Sequence, residues 1–260
     1  MQNGYYTAVG AMVTQFNRLD IIANNLANVD TVAFKKDDIV VGDFKRIFDN
    51  QFSIKSRSTL NLDANGIPKV SEQYTEFKQG DFKPTGNQLD FALKNENTFF
   101  LVDTKDGVRL TQNGSFKITS DGTLTTQEGY KIASSTFFQD GKYIKIEPNN
   151  SFRVEVDGSI YSKEDKLLGK FYIAKNSDMK SLIKDGNGLY KSNDIGAMKQ
   201  VNSSEIVTQG FLETSNINPV REMVNLIDTH RMVEMYQKVM TSHMNELNSD
   251  AINKLAQTRA

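Results

Sequence analysis

The sequence predicts an α+β protein in which an antiparallel β domain is inserted between N- and C-terminal helices that pair as an α-helical coiled domain. Three observations lead to this fold. Apolar residues have helical periodicity at both ends of the chain, and the middle consists of short β-prone runs separated by Asp-Gly and Asn-Gly pairs. Bringing the two helical ends together is the most economical way to bury both apolar faces. A chain of 260 residues can bury one good core and a second small one. The predicted domains are a terminal helical domain (1–36 with 215–260), an extended linker or small subdomain (37–78), the β domain (79–200) and a return linker (201–214).

The first helix is predicted over residues 4–28. Its apolar residues alternate in steps of four and three, which is typical of a helix that packs lengthwise against another helix. We call this set the N-terminal seam: Tyr5, Val9, Met12, Phe16, Leu19, Ala23 and Leu26. The opposite side carries small or uncharged residues, and the first charged side chain is Arg18. Because an uncharged face can be buried without desolvating an ion, we predict contacts on more than one side, made with other copies. The alternative is the amphipathic helix of a monomeric core.

Three asparagines follow the apolar periodicity at positions 24, 25 and 28. Asparagine is a poor helix former whose side chain bonds to nearby backbone and tolerates left-handed conformations. We therefore predict that these residues end the helix and satisfy its last carbonyl groups.

Between residues 39 and 77 the periodicity is lost, and from 79 to about 196 the sequence favours an antiparallel β domain. Short aromatic and β-branched runs occur at 91–93, 98–102, 115–119, 143–146, 152–156 and 168–173. Tight hairpin turns that need positive φ are predicted at Asp106-Gly107, Asn113-Gly114, Asp121-Gly122, Asp140-Gly141, Asp157-Gly158 and Asp185-Gly186.

The last helix begins with Asn218 as its N-cap and Pro219 at its first position. Helical periodicity then continues for about 38 residues, which corresponds to a rod of about 57 Å. Its apolar residues form the C-terminal seam: Val220, Val224, Ile227, Val233, Tyr236, Met240 and Leu247. A core of this size does not require so long a helix, so the pattern favours pairing with the first helix.

Composition excludes several classes of function. The net charge of −1 argues against binding nucleic acid through phosphate neutralisation, and no basic stripe is present. The absence of Cys excludes disulfides and thiol chemistry. The sequence has no stretch suited to membrane insertion and no recognisable cleaved signal peptide, which by itself indicates a soluble cytoplasmic protein.

No catalytic constellation is recognisable, and neither a cofactor nor a catalytic residue is expected. His230 and His243 would lie about 220° apart around a helix and cannot share a metal. A calcium loop would use Asn61, Asp63, Asn65, Gly66 and Glu72. Asn at its first position and Pro68 inside it favour a plain Asn-Gly turn, so no metal site is predicted. A monomeric β-domain binding module or a glycan hydrolase remains the alternative class, although no carboxylate spacing suggests an enzyme.

The run from residue 24 to residue 36 resembles the signature of the axial proteins of the bacterial flagellum, which are its rod, hook and hook-associated proteins. That signature has Asn-Asn-Leu-Ala-Asn followed by Thr and Gly-Phe-Lys. It is matched here at Asn24, Asn25, Asn28, Thr31, Phe34 and Lys35. Ala33 stands where the family usually has Gly, which disfavours a left-handed backbone there, and Asp30 stands where Asn is common. The resemblance extends over 79–92, 99–100, 111–116 and 121–124, and over 212–218 with 222–224 and Arg231.

The resemblance implies a structural, non-enzymatic subunit of the flagellar basal-body rod. The terminal helices would polymerise in the inner tube of a helical assembly that serves motility, and the β domain would face outward. Its partners would be copies of itself, other rod proteins, the type III export apparatus and the surrounding basal-body rings, with no nucleic acid and no membrane insertion. It would lie in the basal body within the periplasm, exported without a cleaved signal peptide. The charged segment 42–76 lacks a Gly-rich insertion, which favours the proximal-rod type over the distal-rod or hook type.

Overall fold

The structure is a computed structural model that describes residues 2–43, 68–147, 151–192, 198–201 and 206–257. The chain divides into two compact units. The helical unit comprises residues 1–27, 37–75 and 218–260, and the β unit comprises residues 28–36 and 76–217. The predicted α+β class with terminal helices is confirmed. Residues 28–36, which we expected to continue the helical domain, hydrogen-bond to residues of the β unit, and the expected linker contributes two strands to the helical unit.

The described helices are α1 (Gln2–Ala27), α2 (Phe137–Asp140) and α3 (Pro219–Gln257). The first strands are β1 (Asp37–Asp43), β2 (Pro68–Thr75), β3 (Phe82–Pro84), β4 (Phe91–Leu93), β5 (Thr98–Thr104), β6 (Gly107–Thr111), β7 (Phe116–Ile118), β8 (Leu124–Thr126) and β9 (Lys131–Ile132). The remaining strands are β10 (Phe152–Val154), β11 (Ser159–Ser162), β12 (Leu167–Lys170), β13 (Ile173–Lys175), β14 (Ile183–Lys184), β15 (Leu189–Lys191), β16 (Lys199–Gln200), β17 (Val207–Gln209) and β18 (Phe211–Glu213).

The helical unit pairs α1 with α3 and adds the antiparallel ribbon β1–β2 against α1. The predicted N-cap of α3 is confirmed, because Asn218 Oδ1 accepts a hydrogen bond of 3.1 Å from the amide of Arg221. The two helices approach closely, since a Cβ added at Gly4 would lie 3.4 Å from Nε2 of His243. A glycine at this position lets the imidazole of α3 pack against the backbone of α1.

Strand pairing in the β unit is antiparallel throughout the described residues. The largest sheet has the order β14-β15-β6-β5-β9-β8-β7, with β13 on β5 and β16 on β13. Smaller sheets are β10-β11-β12, β17-β4 and β18-β3. The last two bring the end of the β unit back to its beginning, because Gln209 pairs with Phe91 and Glu213 with Phe82.

Two hydrophobic clusters form the core of the β unit, one on each side of β5. Phe100 and Val102 belong to the first cluster, whereas Phe99 and Leu101 belong to the second. This alternation follows the period of two of a β-strand. The strand is therefore buried on both faces, which explains its unbroken apolar run.

Most of the predicted turns have the expected backbone. The glycines at 107, 122, 141, 158 and 186 have positive φ, but Gly141 caps the short helix α2 rather than a hairpin. The prediction of a tight turn with positive φ at Asn113-Gly114 is wrong. Gly114 is required because a Cβ there would lie 1.8 Å from the carbonyl oxygen of Phe91. The run 143–146 forms isolated bridges to residues 133 and 123 rather than a strand.

Candidate assembly interface

The N-terminal seam is accessible along most of α1. Phe16 and Ala23 are exposed, and the other five seam residues are half-buried. Tyr6 and Val13, which the spacing did not select, are exposed as well. The outward side of α1 therefore carries more apolar surface than the seam alone.

A different face of α1 is buried within the subunit. It consists of smaller side chains together with one larger aliphatic residue: Ala8, Ala11, Thr14, Ile22 and Asn25. Thr14 bonds its hydroxyl to the carbonyl of Gly10 at 2.9 Å, which satisfies the hydroxyl inside the packed face. Ala11 and Thr14 belong to the small, uncharged face for which the sequence predicted contacts with other copies, and at these two positions the subunit itself covers that face.

The C-terminal seam divides into two parts along α3. Val233 is buried and Tyr236 and Met240 are half-buried, whereas Val220, Val224 and Ile227 are 66%, 52% and 50% exposed. The side chain of Leu247 lies outside the part of the chain that the structure describes.

The first turns of α3 bury polar rather than apolar residues. Glu222 and Thr229 are buried, and the hydroxyl of Thr229 donates to the carbonyl of Asn225 at 2.6 Å. The apolar side chains of the same turns point outward, contrary to the usual amphipathic arrangement. We define the outer stripe as the exposed large apolar residues of both helices: Tyr6, Val13, Phe16, Val220, Met223, Val224, Ile227, Met235, Val239 and Met244.

The signature residues occupy two separate sites, one in each unit. In the helical unit, Asn25 is completely buried and bonds to both backbone groups of Asp37. Its Nδ2 donates to the Asp37 carbonyl at 2.8 Å, and its Oδ1 accepts from the Asp37 amide at 3.0 Å. The expectation that the three asparagines end the helix by capping its carbonyls is wrong for Asn25, which lies inside α1 and holds the first residue of β1.

In the β unit, Lys35 and Glu213 form a buried ion pair. Their side chains are 0% and 2% exposed, and Lys35 Nζ lies 2.6 Å from Glu213 Oε1. The ammonium also donates to the carbonyl of Lys78 at 3.0 Å, and the same Glu213 oxygen accepts from the amide of Gly80 at 2.9 Å. Each charge is thus paired and further hydrogen-bonded, the condition under which a buried ion pair is tolerated.

Further hydrogen bonds around this pair join three distant segments of the β unit. The amide of Ala33 donates to the carbonyl of Glu213 at 2.8 Å. Asn216 accepts from the amide of Lys36 at 2.8 Å and donates to the carbonyls of Glu76 and Lys78 at 2.8 and 3.0 Å. We call this set, with Lys35 and Glu213, the clasp.

The backbone at Ala33 and Gly80 permits the contacts of the clasp. Ala33 has φ of +54°, so the expectation that Ala disfavours a left-handed backbone here is wrong. Its amide bond to Glu213 holds that conformation. A Cβ at Gly80 would lie 2.1 Å from the carbonyl oxygen of Thr214, so only glycine fits at that position.

The other signature residues make local contacts or are exposed. Phe34 is half-buried beneath the ammonium of Lys184, which lies 4.3 Å from the ring centroid. Thr31 is exposed and donates to Oδ1 of Asn28 at 3.2 Å. Asn24 is exposed on α1. No role was expected for Glu213 and Asn216 from the sequence, although both lie in the segment that resembles the family's carboxy-terminal signature.

The candidate metal residues are not assembled among the described residues. In that part of the chain, no group of three or more His, Asp or Glu side chains is placed so that it could hold a metal ion. His230 and His243 face Glu234 and Glu246 on their own helix. Positions 61, 63, 65 and 66 of the calcium-like loop lie outside the described residues, and Glu72 pairs with Val40 in the ribbon. None of the described helices has the length and apolar character needed to span a membrane.

Two terminal helices joined through a β unit, with a buried signature shared by the segments next to both helices, define the axial class of flagellar proteins. Three family descriptions match the chain. They are "Flagella basal body rod protein" at 6–35, "Flagellar hook protein FlgE/F/G D1 domain" at 95–162 and "Flagellar basal body rod FlgEFG protein C-terminal" at 208–253.

Similar proteins extend this match over the whole chain. A flagellar basal-body rod protein FlgF of Caulobacter vibrioides is 30% identical over 259 residues, which cover 98% of each chain. A flagellar basal-body rod protein FlgG of Borreliella burgdorferi is 28% identical over 263 residues, covering 95% of this chain and 97% of its own. The chain belongs to the flagellar basal-body rod protein family, whose members are structural components of the flagellum.

Proposed function

We propose that this chain is a rod subunit that polymerises through its terminal helices and catalyses nothing. The observation that carries the proposal is the outer stripe, in which ten large apolar side chains of the two helices are exposed. Monomeric proteins expose large apolar side chains singly, whereas many of them on one pair of helices indicate an interaction surface.

The energetic argument favours association of several copies. Fully burying one large apolar side chain contributes about 1.5–3 kcal/mol. The stripe residues are about half-exposed in the subunit, so covering half of the stripe contributes roughly 4–7 kcal/mol before the entropic cost of association. In a helical polymer each subunit both offers and receives the same contact, so the gain is repeated at every copy. Both seams are part of this proposed interface, with the half-buried residues at its margin.

We infer that the subunit is of the proximal, FlgF-like type, with the distal FlgG-like type as the alternative. The absence of a Gly-rich insertion between residues 42 and 76 supports this inference. Its partners would be other rod proteins, the type III export apparatus and the basal-body rings. It would lie in the periplasm after export without a cleaved signal. Labelling the carboxy terminus and locating the label in isolated basal bodies tests the proximal assignment against the distal one.

The experiment that tests assembly is Ile227→Asp, expressed in a strain that lacks the parent gene. A carboxylate at this half-exposed position of the outer stripe remains solvated in the monomer but is desolvated in a contact between copies. We expect soluble protein with an unchanged melting transition of the β unit, but no incorporation into basal bodies and no motility.

The matched control is Gln237→Glu, which adds the same charge to an exposed polar position on another side of α3. It should assemble like the parent chain. Normal incorporation of Ile227→Asp would contradict the proposal. Hydrolysis of purified peptidoglycan by the parent chain would favour the hydrolase alternative instead.

A further inference from the structure

The chain contains four Asn-Gly pairs, at residues 3–4, 65–66, 113–114 and 187–188. In this dipeptide an asparagine side chain is readily lost as ammonia, because glycine has no Cβ to hinder attack by its own amide nitrogen. The first pair is part of α1, whose helical backbone fixes its geometry, and the pair 65–66 lies outside the described residues. The two pairs in the β unit can be compared directly.

The pair 113–114 is packed so that both its backbone and its side chain are held. Gly114 is buried, and a Cβ there would lie 1.8 Å from the carbonyl oxygen of Phe91. The carbonyl of Gly114 accepts a hydrogen bond of 3.0 Å from the amide of Phe91. Oδ1 of Asn113 accepts from the amide of Ser115 at 3.0 Å. The side-chain amide and the glycine nitrogen are therefore both fixed in place.

The pair 187–188 lies at the exposed tip of the hairpin formed by β14 and β15. The turn is closed by the amide of Leu189, which donates to the carbonyl of Gly186 at 2.8 Å. Both central residues are exposed and have positive φ, +50° at Asn187 and +69° at Gly188. A Cβ added at Gly188 would meet no atom within 4 Å. Within the described residues, no hydrogen bond holds the side chain of Asn187.

We propose that Asn187 is a site of spontaneous deamidation and that packing protects Asn113 from the same reaction. The amide nitrogen of Gly188 attacks Cγ of Asn187 and forms an N–C bond. The bond between Cγ and Nδ2 breaks, and ammonia leaves with the proton of the Gly188 amide. The product is a five-membered succinimide ring. Water then opens the ring at one of its two carbonyl groups, which leaves aspartate or isoaspartate at residue 187.

The difference between the two pairs follows from local opening of the fold. Ring closure requires the glycine nitrogen to approach the side-chain carbonyl, so the backbone between them must rotate. An exposed hairpin tip opens at low free energy, whereas a buried segment opens only when the core around it opens. Packing, and not the dipeptide itself, therefore decides which of the two asparagines reacts.

Deamidation would alter the hairpin that contacts the signature segment of the β unit. Lys184 lies three residues before Asn187, and its Nζ donates to the carbonyl of Lys35 at 2.6 Å. The same ammonium lies over the ring of Phe34. Aspartate adds a negative charge at the tip of this hairpin, and isoaspartate also adds one backbone atom to its tight turn. The modification therefore acts on the strand that carries Lys184.

The test incubates the full-length protein at physiological temperature and neutral pH and follows each Asn-Gly pair by peptide mapping with mass spectrometry. We expect residue 187 to be converted several-fold faster than residue 113 in the folded chain. Labelling with an isoaspartate-specific methyltransferase distinguishes the two products. In the chain unfolded by denaturant the two residues should react at similar rates, because both are followed by glycine.

The matched variant is Asn187→Gln, in which ring closure is slow because the ring would have six members. It should lose the conversion at residue 187 and leave residue 113 unchanged. Equal conversion of the two residues in the folded chain would overturn the proposal, and so would faster conversion of residue 113. Conversion of residue 187 only after unfolding would overturn it as well. The readout needs no polymer, so the result is independent of the proposed assembly.

Discussion

The two units of this chain differ in how many of their large apolar side chains are buried within the subunit. In the β unit, Phe91, Phe100, Phe116 and Phe171 are almost completely buried and contact one another edge-on or tilted. In the helical unit, the largest apolar side chains that are buried among the described residues are Ile22 and Val233. The exposed large apolar residues show the reverse distribution, since most of them lie in the helical unit.

This difference separates stability within one subunit from stability between subunits. The β unit contains the burial that offsets its own conformational entropy, whereas the helical unit leaves much of its apolar surface to be covered by other molecules. Specific hydrogen bonds, such as those between the Asn25 side chain and the Asp37 backbone, supplement the small apolar core of the helical unit. We therefore expect the two units to respond differently to substitution.

The largest effect is expected from Phe100→Ala. This residue is buried in the first cluster, with ring centroids 5.2 and 5.3 Å from those of Phe116 and Phe171. Its loss removes apolar burial and leaves a cavity, which costs about 3–5 kcal/mol. Thermal unfolding followed in the near ultraviolet should show a midpoint lowered by roughly 10 °C or more.

The exposed aromatic residue of the same unit provides the control. Phe138 is half-exposed on α2, and Phe138→Ala should change the unfolding free energy by less than about 1 kcal/mol. Equal losses from the two variants would contradict the view that the β unit is held by its own core.

Much of this division could be predicted from the sequence, because it depends on periodicity. The steps of three and four predicted both helices to within two residues at their starts and ends. The aromatic and β-branched runs located β4, β5, β7, β10 and β12, which are fewer than half of the described strands of the β unit. The run 143–146 was mistaken for a strand because β propensity does not show whether a partner strand is available.

The buried sites were harder to predict, for a physical reason. Lys35 and Glu213 are 178 residues apart, and nothing local marks a charged residue that will be buried with its partner. Asn25 was assigned to capping because its amide usually bonds nearby backbone, whereas here it reaches Asp37, 12 residues away. The amphipathic pattern of α3 does not predict that its first turns bury Glu222 and Thr229, because tertiary contacts override the pattern there.

The next effect in size concerns the helical unit. Asn25→Ala would leave the amide and carbonyl of Asp37 without their side-chain partners, at a cost of about 2–3 kcal/mol. The midpoint of helix melting, followed by circular dichroism at neutral pH, should shift to lower temperature. The midpoint of the β unit should not change. Asn17→Ala, the same change at an exposed position of α1, should have almost no effect. A shift of both transitions by Asn25→Ala would show that the two units do not unfold separately.

The smallest effect is expected from Ala33→Gly, although this position has an unusual backbone. The residue is 4% exposed and has φ of +54°. Glycine would relieve about 1–2 kcal/mol of left-handed strain. It would also make the unfolded chain more flexible, at about 0.4–1 kcal/mol, and remove a buried methyl group worth about 0.8 kcal/mol. These terms nearly cancel, so the unfolding free energy of the β unit should change by less than about 1 kcal/mol.

The same substitution in the helical unit lacks the compensating term. Ala11 is buried on α1 in an ordinary helical conformation, so Ala11→Gly loses about 1 kcal/mol of helix propensity and about 0.8 kcal/mol of burial, with no strain to relieve. Chemical denaturation of both variants measures the contrast directly. Equal destabilisation by the two substitutions would mean that the left-handed backbone of Ala33 carries no strain, and that glycine offers no advantage at this position of the signature.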